Sequence, residues 1–485
     1  MTGKKLLILV ITSTLAMQVS AATMVIQNND GDNEGFNDPN PPTNPNQKGN
    51  NPGTSLGEMR LNVFQAAADV WSGILNSAIT ITVGGSFEEK FCDANSATLG
   101  SAGASGSRAN FAGLEPNTAY PIALAESLNG SNLNGTTVEI NTSFNSKVDS
   151  DPVCLGGGGF YYGLDDNAPV GTSALFPVVL HELAHGLGFA SFTDVGSGGS
   201  GAFIGAGGYP DTYSRRLFDL DNGKSWDEMT NDERLASAIN EPELVWEGAQ
   251  ATADRGQHLG FAPELAINAP TPIMGTFEVV SGEKSAAIPG GGVTAGIVDG
   301  NTFDDVADNP ATGCTQIGFG GTFTGKIVLF DSTPDCSPSV TAFYSEFEGA
   351  VGLIIADTSG SGFPDMSGSI TNPINIPYVG VEKSVADDLR ANLATASVTL
   401  QNSPTTYLGE NQGMVKMYAP ATFESGSSVS HWSKTASPNL LMEPVLGDLD
   451  FADVDLTAAA FRDIGWSVNI PGEQLEEIFA DGFEQ

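Results

Sequence analysis

Histidine is scarce in this chain of 485 residues, with four in all, and cysteine is equally rare. Positive charge is also short: 19 lysines and arginines face 58 acidic residues, a formal net charge of -39. Such a surface repels phosphate backbones and anionic lipid, which excludes nucleic acid as a partner. A heavily solvated acidic surface of this kind suits a protein that must stay soluble. No stretch beyond the N-terminus approaches the 18 or so uninterrupted apolar residues of a membrane span, so no transmembrane segment is expected in the mature chain.

What is present begins with an export signal over residues 1–21. Lys4 and Lys5 precede the apolar run Leu6 to Ile11, and small residues follow up to Ser20 and Ala21. The mature protein is therefore expected outside the cytoplasm. In that compartment the even set Cys92, Cys154, Cys314 and Cys336 reads as disulfides rather than thiolate metal ligands.

The most informative stretch is residues 174–190, where His181, Glu182 and His185 spell H-E-x-x-H. Residues four apart share a helix face, so the two imidazoles can reach one metal ion. Glu182 stands beside them as a general base for an attacking water. The preceding Leu175, Phe176, Val178, Val179 and Leu180 are apolar on nearly every side, which predicts a buried helix. Thr172 or Ser173 would cap its start, and Gly186 and Gly188 would end it.

Around this helix the pattern predicts an α+β lobe over residues 22–286. A strand is expected at 23–27, then loop or disorder up to residue 56, then a helix over 61–75 with Val63, Phe64, Ala67, Val70, Trp71 and Ile74 on one face. Strands are expected at 78–83 and 137–144, with the small-residue tract 96–107 as a loop. Residues 196–208 are glycine-rich and expected to be flexible, and 226–240 has helical character. Asp219-Leu220-Asp221-Asn222-Gly223 is a faint match to a Ca2+ loop but lacks the full ligand spacing and terminal glutamate, so an ordinary turn is the plainer reading.

From residue 287 to 403 the texture changes to short glycine-punctuated strands at 325–330, 350–356, 376–381 and 397–400, with a helix at 384–393. This segment contains no histidine and reads as an inserted β-rich module without its own catalytic site. Residues 404–470 then return to the first lobe, and 471–485 form an acidic tail. Segment membership favours Cys92 with Cys154 and Cys314 with Cys336.

A catalytic zinc takes three protein ligands and one open position. Position 191, eleven residues into the long form of the motif, is Ser191, a poor ligand. Glu233, Glu241 or Glu243 on a following helix could serve, as could His258 or His431. His258 has no companion residues and reads as an ordinary surface histidine. His431 is followed eleven positions on by Met442 in Leu440-Leu441-Met442-Glu443-Pro444.

With His181, Glu182, His185, Gly188 and Phe189, the pair His431 and Met442 resembles a leishmanolysin-type metzincin, in which an insertion separates the glycine turn from the third histidine. Residues 456–466 resemble the helix that closes such domains. Gly325 to Phe330, residues 349–357 and residues 374–381 resemble a protease-associated (PA) domain. The two resemblances together cover most of the mature chain. They imply a secreted zinc metalloendopeptidase acting on protein or peptide substrates, with one Zn2+ on His181, His185 and His431, Glu182 as general base, and Gly188 and Met442 supporting the site. The competing class is an exported binding or adhesion protein whose zinc is structural.

Overall fold

The computed structural model describes residues 21–111, 114–303, 312–317, 320–360, 362–447 and 452–469. The expected signal, apart from Ala21, and the acidic tail lie outside the described residues. The chain divides into two compact units, one made of residues 1–259 and 409–485 and the other of 260–408. The fold is mixed α and β. Among the described residues no helix is long and apolar enough to cross a membrane.

The discontinuous unit is built on a four-stranded sheet ordered Met24–Asn28, Ile81–Glu88, Ile140–Asn145, Gly100–Ala104. The first three strands are parallel and the last is antiparallel, at the edge. That edge strand falls in the tract expected as a loop. Its Gly-Ser-Ala-Gly-Ala sequence has no apolar alternation; pairing with residues 140–144 makes it a strand. Two helices pack against this sheet. Leu56–Ile74 starts with a capping box between Ser55 and Glu58, earlier than the apolar spacing indicated, and buries the expected Val63, Phe64, Ala67, Val70, Trp71 and Ile74. Leu175–Leu187 carries the H-E-x-x-H residues. Trp71 Nε1 ties the two helices by donating to the Leu180 carbonyl at 3.0 Å.

The motif helix differs from expectation at both ends. Its N-cap is Ala174, with no side-chain cap, because Ser173 and Ala174 pair with Phe160 and Tyr161 in a short parallel bridge. Gly186 lies inside the helix rather than ending it; a Cβ there would fall 2.2 Å from Ile140 Cγ2, so glycine is what lets helix and sheet approach. Gly188 is the C-cap, at φ 122°.

Of the two readings of the stretch up to residue 56, loop or disorder, the structure has loop: Gln47 Nε2 donates to the Phe160 carbonyl at 3.0 Å and Asn51 Nδ2 to that of Tyr162 at 2.8 Å. Buried side-chain amides supply the order that apolar residues do not. Residues 196–208 are likewise held, by Arg234, which donates to the Gly201 carbonyl at 2.7 Å and lies 4.1 Å from the centre of the Phe203 ring. Residues 226–240 form two short helices, Trp226–Glu228 and Asn231–Ser237, instead of one.

The second unit is an eight-stranded mixed sheet in the order Gly275–Glu278, Phe261–Ala269, Ser397–Tyr407, Val293–Asp299, Ile327–Asp331, Gly352–Ala356, Tyr378–Val381, Val280–Ser281. Alternation within its strands feeds two cores: Ile327, Leu329 and Ile354 on one face, Val328, Phe330 and Ile355 on the other. Helices Pro338–Phe347 and Lys383–Ala391 give it more helix than a purely β module. The compact unit runs from 260 to 408, reaching beyond the module expected at 287–403, because Phe261–Ala269 pairs along Ser397–Tyr407. Its two ends meet, with Leu408 N donating to the Gly260 carbonyl at 2.8 Å. Disulfides join Cys92 to Cys154 in the first unit and Cys314 to Cys336 in the second.

Candidate metal centre

One turn of the motif helix presents His181 and His185, and the segment after the second unit brings in His431; all three are buried. The Nε2 atoms of His181 and His185 are 3.1 Å apart, and that of His431 is 3.2 Å from each. The opposite nitrogens face main-chain carbonyls: His181 Nδ1 lies 2.6 Å from Leu441 O, His185 Nδ1 2.8 Å from Phe189 O, and His431 Nδ1 2.7 Å from Ser427 O. A carbonyl only accepts, so each Nδ1 must carry the proton and each neutral ring turns a bare Nε2 lone pair toward the other two. Three lone pairs converge with no donor among them, and a cation satisfies all three at once. A triangle with these edges has its corners about 1.8 Å from its centre, close to the Zn–N distance of about 2.0–2.1 Å. The donor set therefore fits zinc. Among the described residues these three side chains form the one group of three or more His, Cys, Asp or Glu able to hold a metal ion.

Burial keeps the rings uncharged. It pushes His181 down to about 3, reinforced by His185, and His185 down to about 4, while the carbonyl bonds pull the other way. His431 lies well below the ordinary histidine range for the same reason, reinforced by both neighbours. Glu182 is also buried, and burial pushes its carboxyl up to about 8 against the Ala102 N–H and the charge of Lys90.

The local structure explains the placement. The left-handed turn at Gly188 reverses the chain so that the Phe189 carbonyl faces back to His185. A Cβ at Gly188 would lie 2.9 Å from Pro121 Cγ and 3.2 Å from Ile464 Cδ1. Phe189 then enters an aromatic cluster with Tyr213, Trp246 and Trp432, its ring 5.0 Å from that of Trp432. This anchors the His431 segment from behind. Trp432 N donates to the Met442 carbonyl at 2.8 Å, and Met442 is fully buried in the turn whose Leu441 carbonyl receives His181. The buried Asp455 carboxylate accepts the Leu441 N–H and fixes that turn.

The triad and Glu182 line a cleft of about 470 Å³. Its other walls are residues 97–102, including the edge strand, and segments 425–427 and 443–446. Gly100 is needed beside the site, since a Cβ there would approach Phe144 at 2.9 Å and Glu182 Cγ at 3.1 Å.

The other sequence candidates sit elsewhere. Ser191 Oγ bonds Thr193 and Ser214 at 2.8 Å each, while its N–H reaches Ser430 Oγ at 3.3 Å, beside the histidine that replaces it. Glu233 caps helix Asn231–Ser237 and pairs with Lys224. Glu241 accepts from Ser433, Glu243 from Asn411, and His258 ends helix Ala249–His258. The faint Ca2+ match at 219–223 is a hairpin turn in which Asp219 Oδ1 accepts the Asn222 N–H at 2.9 Å, and its residues are in no metal-holding group found among the described residues. Sequence reasoning missed the edge strand, Asp455 and Glu443. The strand has no periodic signal, and the two acids became visible only with the turn they hold.

A PA domain model matches residues 288–389, within the second unit. No curated protein matches the chain. Solved structures resembling parts of it include a peptidase M28 precursor from Shewanella amazonensis SB2B, with 19% identity, TM-score 0.22, and coverage of 30% of this chain and 34% of that one. A zinc aminopeptidase from Bacillus subtilis has 16% identity, TM-score 0.23, and coverage of 40% and 42%. A subtilisin-like protease from Pseudoalteromonas sp. AS-11 has 15% identity, TM-score 0.22, and coverage of 30% and 34%. The chain spans only about a third to two-fifths of the length of these structures. Similarities of this size, to proteins named for different enzyme types, carry no argument about the triad. The leishmanolysin-type resemblance receives no support from them.

Proposed function

We propose that the protein is an exported zinc-dependent endopeptidase of the leishmanolysin-like metzincin type, with a PA domain inserted between the second and third ligands. The observation that carries the reading is the triangle of three bare Nε2 atoms beside a buried glutamate. Zinc held by His181, His185 and His431 would supply a Lewis acid that acidifies a water and polarises a peptide carbonyl.

The chain's own residues do the rest. Three main-chain carbonyls hold the imidazoles in one tautomer, which removes reorganisation from ligand binding. Glu182 takes a proton from the attacking water on a carboxylate oxygen as the new C–O bond forms, then gives it to the leaving nitrogen as the C–N bond breaks. Gly100–Ala104 is an edge strand whose residues 100–102 line the cleft, so an extended peptide could add there as a further strand. Export agrees with two disulfides. The structural-zinc alternative gains nothing here, because a site closed by four protein ligands would not open on a cleft.

The test is Glu182→Gln. Zinc content should stay at one per chain while casein cleavage falls by about 10²- to 10⁴-fold, the usual share of a general base. Wild-type cleavage should stop with a chelator and return with zinc. Full activity in the glutamine variant would dismiss the assignment.

A further inference from the structure

Glu443 is a second buried carboxylate on the cleft, and the proposed hydrolysis makes no use of it. The described lining residues include Glu182 and Glu443 but no lysine or arginine. One oxygen of Glu443 accepts the Leu440 N–H at 2.8 Å, closing the Leu440–Glu443 turn. The other takes no hydrogen bond and no ion pair among the described residues. Lys434 acts on the group only through its charge, and the charge of Asp455 opposes it. Pro444, Val445 and Leu446 continue the wall as apolar surface.

A carboxylate kept in such surroundings without a cation is costly, and the turn it caps needs only a neutral acceptor. An apolar wall ending in a lone carboxylate suits one ligand chemistry: an alkyl stem with a cationic head. We propose that Glu443 is the specificity determinant of the cleft and receives the Lys or Arg side chain of a residue flanking the bond to be cut. The inference rests on the peptidase reading and names its substrate class. Burial pushes Glu443 up to about 7, so an arriving cation would also draw it into the charged form.

The experiment uses N-acetylated fluorogenic peptides that differ only in Lys, Arg, norleucine or Glu at each of the two positions flanking the scissile bond, with unblocked copies alongside. The wild type should favour Lys or Arg over norleucine by about tenfold or more in kcat/KM, as for a close charge pair. Glu443→Gln, which keeps an acceptor for Leu440 N–H, should bring that ratio near one, and Glu443→Lys should turn it toward Glu. The same ratios read as peptide affinities in the Glu182→Gln protein separate the two claims. Binding that discriminates through Glu443 without any cleavage keeps this inference and removes the peptidase reading. Cleavage with the same Lys preference in Glu443→Gln, or preference confined to a free α-amino group, overturns the inference and leaves the peptidase reading standing.

Discussion

Two glycines that end helices provide a calibrated test of how the site is held. Gly130 caps helix Ile122–Asn129 at φ 67°, and a methyl added there would meet nothing within 4 Å; Gly188 caps the motif helix at φ 122° with Pro121 Cγ at 2.9 Å and Ile464 Cδ1 at 3.2 Å from the added carbon. Gly130→Ala should cost only the left-handed backbone penalty, about 1–2 kcal/mol. Gly188→Ala adds overpacking of about 1–3 kcal/mol, for a total of about 2–5 kcal/mol. All five tryptophans, Trp71, Trp226, Trp246, Trp432 and Trp466, belong to the discontinuous unit, so urea unfolding followed by tryptophan fluorescence reads that unit alone. The alanine at 188 should also displace the Phe189 carbonyl from His185 and weaken zinc binding by about 10- to 100-fold, while Gly130→Ala leaves zinc affinity intact. Equal unfolding costs for the two variants, or an unchanged zinc affinity at 188, would refute the reasoning.

Two other outcomes are expected. Joining Leu259 to Gly409 through a short linker should leave a folded, zinc-binding protein, because the ends of the removed unit already meet at a 2.8 Å hydrogen bond and no ligand lies within it; comparing cleavage of a short peptide with that of a folded protein then shows whether the PA domain governs substrate size. Removing Cys92–Cys154, which spans 62 residues, should cost about 4 kcal/mol, against about 3 kcal/mol for Cys314–Cys336, which spans 22, both measured by urea unfolding.

The grouping of the three histidines was more legible in the sequence than the walls around it. His181, Glu182 and His185 follow from helical spacing, a local rule, and His431 follows from its company with Met442. The parallel strands at 327–331, 352–356 and 378–381 are apolar runs buried on both faces, which read directly as strands. Residues 100–104 carry no such signal, because their strand character comes from partners about 40 positions away. The same holds at 261–269: the pairing that assigns it to the second unit is with residues near 400, so the compact unit reaches back beyond the change in texture at 287. Ser173 has the chemistry of a helix cap, but Phe160 and Tyr161 claim the backbone around it. Order in the asparagine-rich stretch before residue 56 rests on Gln47 and Asn51 finding carbonyls more than 100 positions away, which no local pattern encodes.

The most direct measurement is X-ray absorption at the zinc edge on the purified protein and on its His431→Ala and His258→Ala variants. Three imidazole nitrogens at about 2.0–2.1 Å with one lighter oxygen-type ligand are expected in the wild type and in His258→Ala, and loss of zinc or of one imidazole in His431→Ala. An unchanged zinc environment in His431→Ala would contradict the three-histidine centre.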